Sequence, residues 1–298
     1  MVPKIIMSVV FYIFLSIQLH TSMAQTNWIR AGFYMYNQYE FPISEINFAL
    51  FTHIICEYAA VNSTSYQLSL SPADEQHFPE FTHTIKQNNP SVATMLSIHI
   101  NGDATYSTMV STSSNRKSFI DSSIKIARRY GFEGLDFSWQ FPATSIDMFN
   151  MGILFKEWKA AIDLEATDSS RSALILTAKV YNTPKIYSTS YPIESIQQHL
   201  DWVHFFVDYI KNDISWDRHT STEASLYNPY DFDNADCGIR EWIDGGLSAN
   251  KMVLTLPFYG FAWRLENPMD NGIGAPAKVQ LNLCGELLDK GNNLVLLQ

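Results

Sequence analysis

Short apolar, β-branched runs recur along this chain, separated by longer stretches in which apolar residues return every three or four positions. Runs near 29–34, 52–59, 92–98, 133–138, 173–180, 201–207 and 252–256 read as strands. Between them the period lengthens to that of a helix. Over 116–130, Phe119, Ile120, Ile124 and Ala127 fall on one side, and Gly131 supplies the stop. Over 146–166, Phe149, Ile153, Trp158 and Ile162 repeat at helical spacing, and a third helix at 238–243 runs into Gly245-Gly246. Strands alternating with helices predict an α/β fold with a parallel sheet, and seven strands in this length fit a β/α barrel better than an open sheet. No glycine-rich loop follows the first strand, so nothing points to a dinucleotide. After Leu256 the pattern changes to a Gly/Pro/Asn-rich segment through Ala277, then a leucine-rich tail. In that tail Leu281, Leu283, Leu287 and Leu288 suit a short helix and a coil equally well. The expectation is a (β/α)8 TIM-barrel type lacking its eighth strand, with open strand edges unless the tail closes it.

The first residues change the picture of where the chain works. Lys4, the apolar stretch Ile5 to Leu19 and the small residues around Ser22-Met23-Ala24 read as a secretory signal peptide over 1–24. That stretch is short for a membrane span and contains Ser8, Ser16 and Gln18. The formal charge of −10 argues against nucleic acid or an anionic membrane as partner and suits a secreted, extracellular protein. Export permits disulfides, but Cys56, Cys237 and Cys284 are odd in number, so at least one stays free or pairs between chains. No Cys/His spacing suggests a metal, and no cofactor is expected. Asn62-Ser63-Thr64 is a usable glycosylation sequon. Aromatic residues make up 14% of the chain, which suits a rich core and also sugar-stacking faces.

The chemistry concentrates in Tyr130-Gly131-Phe132-Glu133-Gly134-Leu135-Asp136-Phe137-Ser138-Trp139-Gln140-Phe141-Pro142. This stretch resembles the active-site strand of the chitinases of glycoside hydrolase family 18, D-x-x-D-x-D-x-E, here occupied by Glu133, Asp136, Ser138 and Gln140. Further segments resemble plant class V chitinases in the same order: Phe51-Thr52-His53 leading to Cys56, 116–124, Asp201-Trp202-Val203, and 256–265. The likeness covers roughly Trp28 to Ala277. It implies an incomplete barrel domain over 25–278, with most of the family's small α+β insertion missing and a divergent tail over 279–298. It also implies chitin or chito-oligosaccharide as the ligand.

In such enzymes a glutamate protonates the glycosidic oxygen, the sugar's own acetamido group attacks, and the neighbouring aspartate steadies that group. Here the acid position holds Gln140, which has no proton to surrender near neutral pH, and the orienting position holds Ser138. Loss of a positioned general acid costs about 10² to 10⁴ in rate. Strand alternation places Asp136, Ser138 and Gln140 toward the lumen and Phe137 and Trp139 toward the helices. Where the resemblance implies S-x-G-G, the chain has Ser97-Ile98-His99-Ile100, and His99 reads as a packing or rim histidine. In the sixth strand Phe206-Val207-Asp208-Tyr209 exchanges the family's Tyr and Asp, making Asp208 the candidate for a relocated acid. Glu133 keeps a carboxylate at the family's buried first motif position. The candidate sugar-binding residues are Phe33, Tyr58, Asp136, Gln140, Asp208, Tyr259, Trp263 and Arg264. Three readings stay open: a catalytically silent, sugar-binding chitinase-like protein; a chitinase using Asp208 or Glu133; and a truncated barrel without function.

Overall fold

The computed structural model describes residues 28–35, 42–99, 102–139, 142, 144–186, 188–207, 219–220, 225–227, 234–256, 261–282 and 294–297. The chain divides into two units, 1–30 and 31–298, and the second carries the architecture. Seven strands form one parallel sheet in chain order: β1 (Ala31–Met35), β2 (His53–Val61), β3 (Ala93–His99), β4 (Gly134–Ser138), β5 (Ile175–Tyr181), β6 (Trp202–Phe206) and β7 (Met252–Thr255). All seven fall where the alternation of the sequence places them. Each strand lies beside its predecessor, the arrangement that right-handed β-α-β connections produce.

The helices are α1 (Pro72–Asn88), α2 (Asp103–Ser111), α3 (Ser113–Tyr130), α4 (Ser145–Ser169), α5 (Ile193–His199) and α6 (Ala235–Asp244). Their ends are written in the sequence. Ser71 and Asp74 form a reciprocal capping box on α1, with Pro72 in its first turn. The Thr112 hydroxyl accepts from the Asn115 amide to start α3, and Gly131, at φ 78°, ends it. Phe119, Ile120, Ile124 and Ala127 are all buried, as the spacing on α3 predicts. On α4 the predicted face is rotated. Phe149 is 68% exposed, and Met148, Met151, Leu154, Phe155, Trp158 and Ile162 form the buried stripe instead. Phe149 stands nine positions before Trp158, about 180° round the helix at 3.6 residues per turn, so the two cannot share a face. Two bidentate pairs, Arg116 on Glu157 and Arg128 on Glu165, clamp α3 to α4.

After β7 the chain leaves the parallel sheet. β8 (Phe261–Leu265), β9 (Ala277–Asn282) and β10 (Leu294–Leu297) form an antiparallel sheet in the order β9-β8-β10. The tail supplies a strand at 294–297 that pairs with β8 rather than closing the barrel; Leu281, read as helix or coil, lies in β9, and Leu283, Leu287 and Leu288 lie outside the described residues. Among the described residues β1 and β7 are the edges of the parallel sheet. Cys56 and Cys237 are both free thiols, and burial pushes the Cys56 thiol well up; Cys284 lies outside the described residues. No helix among the described residues is long and apolar enough to cross a membrane.

Candidate active site

β4 shows how the barrel sorts its side chains. Gly134 opens the strand because a Cβ there would stand 2.9 Å from both Met95 and Ile175 on the flanking strands. From that point successive side chains alternate. Phe137 points outward into an aromatic cluster, edge-on to Phe119, Phe155 and Trp158 at centroid distances of 5.9–6.0 Å. Trp139 stacks on Tyr106 at 4.8 Å with planes 4° apart. Asp136 and Ser138 point inward, and both are fully buried.

Asp136 is held at both oxygens. Ser97 Oγ donates to Oδ2 at 2.8 Å and Thr177 Oγ1 donates to Oδ1 at 2.8 Å, one partner from each neighbouring strand. His204 Nε2 lies 3.7 Å from the same carboxylate. That contact is not an ion pair, because the Trp202 indole N–H donates to Nε2 at 3.2 Å and needs its lone pair. His204 is thus a neutral imidazole with its proton on Nδ1. Its pKa agrees: burial, opposed by the Asp136 charge and assisted by Lys179 and His53, holds it down at about 4.

One pleat further along the strands the chemistry changes. Ser138 Oγ is buried and makes no hydrogen bond. Its carbonyl accepts from the Tyr106 hydroxyl and, at 3.2 Å, from His99 Nδ1. His99 is therefore a packing histidine, with its ring 5.0 Å from Tyr58 and 6.4 Å from Tyr106. Lys179 on β5 and Glu57 on β2 form a buried ion pair across the lumen. Phe33, Tyr58 and Phe206 stand around the ammonium. No grouping of metal ligands occurs among the described residues.

The structure therefore brings together Phe33, Tyr58, Asp136 and Ser138 in or beside the lumen. Gln140, Asp208 and Tyr259 lie outside the described residues. Trp263 is buried on β8 beside Ala277, with Arg264 exposed next to it. Glu133 corrects an expectation: it is not buried. Its side chain is 47% exposed, and its carboxylate lies 2.5 Å from Lys86 and accepts from the Thr94 amide at 3.1 Å. It precedes β4 while Ser138 ends it, about 17 Å apart along an extended strand. Burial there would leave a carboxylate without water, whereas this position gives it solvent and a lysine. Asn62 sits in an exposed turn, its side-chain oxygen accepting from the Thr64 and Ser65 amides at 2.9 Å. Sequence reasoning missed Glu57, Thr177, Lys179 and His204. The period of two does place Thr177 and Lys179 on one face of β5, but nothing local says which partners they meet.

A parallel sheet curled with helices outside and polar residues gathered inside defines a β/α-barrel protein. The chain belongs to the glycosyl hydrolases family 18, whose model matches residues 29–293. It is 40% identical to the class V chitinase of Arabidopsis thaliana over 276 residues, covering 92% of this chain and 71% of that protein. Among solved structures, a class V chitinase from Nicotiana tobaccum, a Glu-to-Gln mutant in complex with NAG4, is 40% identical with a TM-score of 0.78, covering 84% of this chain and 72% of the other. The chitinase-like agglutinin of Robinia pseudoacacia is 38% identical with a TM-score of 0.80, covering 86% and 77%.

Proposed function

We propose that this protein is a secreted chitinase-like protein that binds chito-oligosaccharide without hydrolysing it. The observation that carries this is the state of the carboxylates. The acid and orienting positions hold Gln140 and Ser138. Asp208 lies outside the described residues, among which the remaining lumen carboxylates are Asp136, sealed and bound at both oxygens, and Glu57, tied to Lys179. None of these can hand a proton to a glycosidic oxygen. Glu133, at the opposite end of its strand and paired with Lys86, is no substitute. Binding is supported by two relatives. The tobacco chitinase carries NAG4 with one glutamate changed to glutamine, and the Robinia relative is an agglutinin. Export rests on the segment 1–24, and Asn62 would carry the glycan from its exposed turn.

Calorimetric titration with chitotetraose tests the binding half of this reading. A saturating heat is expected; none at millimolar sugar would refute it. Mass analysis of the protein recovered from medium checks export, with a mature N-terminus at residue 25 expected.

A further inference from the structure

Lys179 and Glu57 lie 122 residues apart in sequence and meet inside the lumen, with side chains only 7% and 5% exposed. The ammonium nitrogen stands 4.2 Å from the ring centroid of Phe33, 5.1 Å from Phe206 and 5.2 Å from Tyr58. The rings brace one another and their neighbours: Phe33 lies 6.0 Å from Phe206 and 5.0 Å from His204, and Tyr58 lies 5.0 Å from His99. A buried ammonium is tolerated only when its charge is met. One carboxylate and three ring faces meet it from several sides, which is the chemistry that recognises an ammonium ligand. Here the ammonium belongs to the protein. A pyranose stacked on the same faces would need its carbons about 3.5–4 Å from the rings. The lysine's terminal methylene and ammonium already take that space.

We propose that Lys179 is a resident ligand. Its ammonium occupies a cation site built by Glu57, Phe33, Tyr58 and Phe206, and Lys179 with Glu57 sets how deep an oligosaccharide sits in the lumen. The cation site stands on the geometry alone; the depth of the sugar rests on the sugar-binding reading above. Phe33 and Tyr58 then serve the protein's own cation on their inner faces. Sugar is left to stack nearer the rim.

Lys179→Ala leaves a hole the shape of propylammonium beside Glu57. Melting temperature is read against propylammonium chloride, with sodium chloride matching the ionic strength. Lys179→Ala is expected to melt lower than the natural protein and to regain stability saturably with the amine. The natural protein and Lys179→Ala/Glu57→Ala are expected not to respond. Equal responses from all three would overturn the cation site. Should Lys179→Ala not fold, the natural protein decides by NMR: ring currents are to move the Lys179 ε-methylene protons upfield of every other lysine's, and an ordinary position contradicts the cage. For depth, chitotetraose is titrated into both proteins. Tighter binding by at least threefold in Lys179→Ala is expected, and unchanged affinity refutes the depth assignment. No sugar binding by either protein, with the amine response intact, would refute the sugar-binding reading and the depth with it, leaving the cation site standing.

Discussion

On the outward face of β4, Phe137 and Trp139 lie among Phe119, Phe155, Trp158 and Tyr106, ring against ring. On the inward face, one residue over, Asp136 and Ser138 lie among hydroxyls, a neutral histidine and an ion pair. The outer layer owes its stability to apolar area and close packing, which depend on every ring being present. The inner layer is a set of paired polar groups whose chemistry changes with one or two atoms. A barrel can therefore change an inward side chain such as Ser138 and keep its fold, because the helices pack on the other face. Fold and catalysis are separable along a single strand.

The comparison breaks first where the outer layer is cut. Phe137→Ala removes the ring at the centre of the aromatic cluster and is expected to cost about 3–5 kcal/mol in urea unfolding. A loss below about 1 kcal/mol would mean that the cluster does not hold the sheet to its helices.

Acid probes the inner layer next. His204 has a folded pKa of about 4 against an ordinary 6.5. Between those values the unfolded chain binds a proton that the native protein refuses. This contribution is complete above pH 6.5 and is lost as pH falls toward 4, by about 3 kcal/mol. Burial lowers His53 and His77 as well, which acts in the same direction. Unfolding measured from pH 7 to 4.5 is expected to show a steeper slope for the natural protein than for His204→Gln, whose amide still accepts from Trp202; equal slopes contradict the assignment.

A smaller effect is expected at the helix ends. Thr112→Ala deletes the cap of α3 and is expected to lower stability by about 1 kcal/mol, read as a shift in the denaturation midpoint. Smallest of all is Ser138→Ala. The hydroxyl it removes is buried without a partner, so stability is expected to stay within about 1 kcal/mol and to rise if it moves. A loss of more than about 2 kcal/mol there would place Ser138 in the scaffold rather than in the site.

Much of the outer layer was legible in the sequence. Short apolar, β-branched runs located all seven parallel strands, and Gly131 marked the end of α3 because only a left-handed residue turns the chain there. α1 was missed despite Ser71 and Asp74, since Pro79 interrupts the helical pattern that its capping box begins. The orientation of Asp136, Ser138 and Phe137 was legible because a period of two leaves no choice. The partners were not. Ser97, Asp136 and Thr177 meet only through the register of three strands, and Glu57 meets Lys179 across the lumen, a relation with no local signature. Phe33 and Tyr58 read as sugar platforms from the resemblance, and the Lys179 ammonium over both rings leaves no mark in the sequence. Glu133 falls where the resemblance implies burial, and its partner Lys86 sits on a different helix, a meeting with no local signature.

Binding without cleavage is put to the test by mass spectrometry of chitotetraose incubated with purified protein from pH 4 to 8. Intact tetrasaccharide is expected throughout, at protein concentrations that calorimetry shows to be saturating. Time-dependent appearance of di- or trisaccharide that tracks the protein, and persists in material purified to homogeneity, would contradict it.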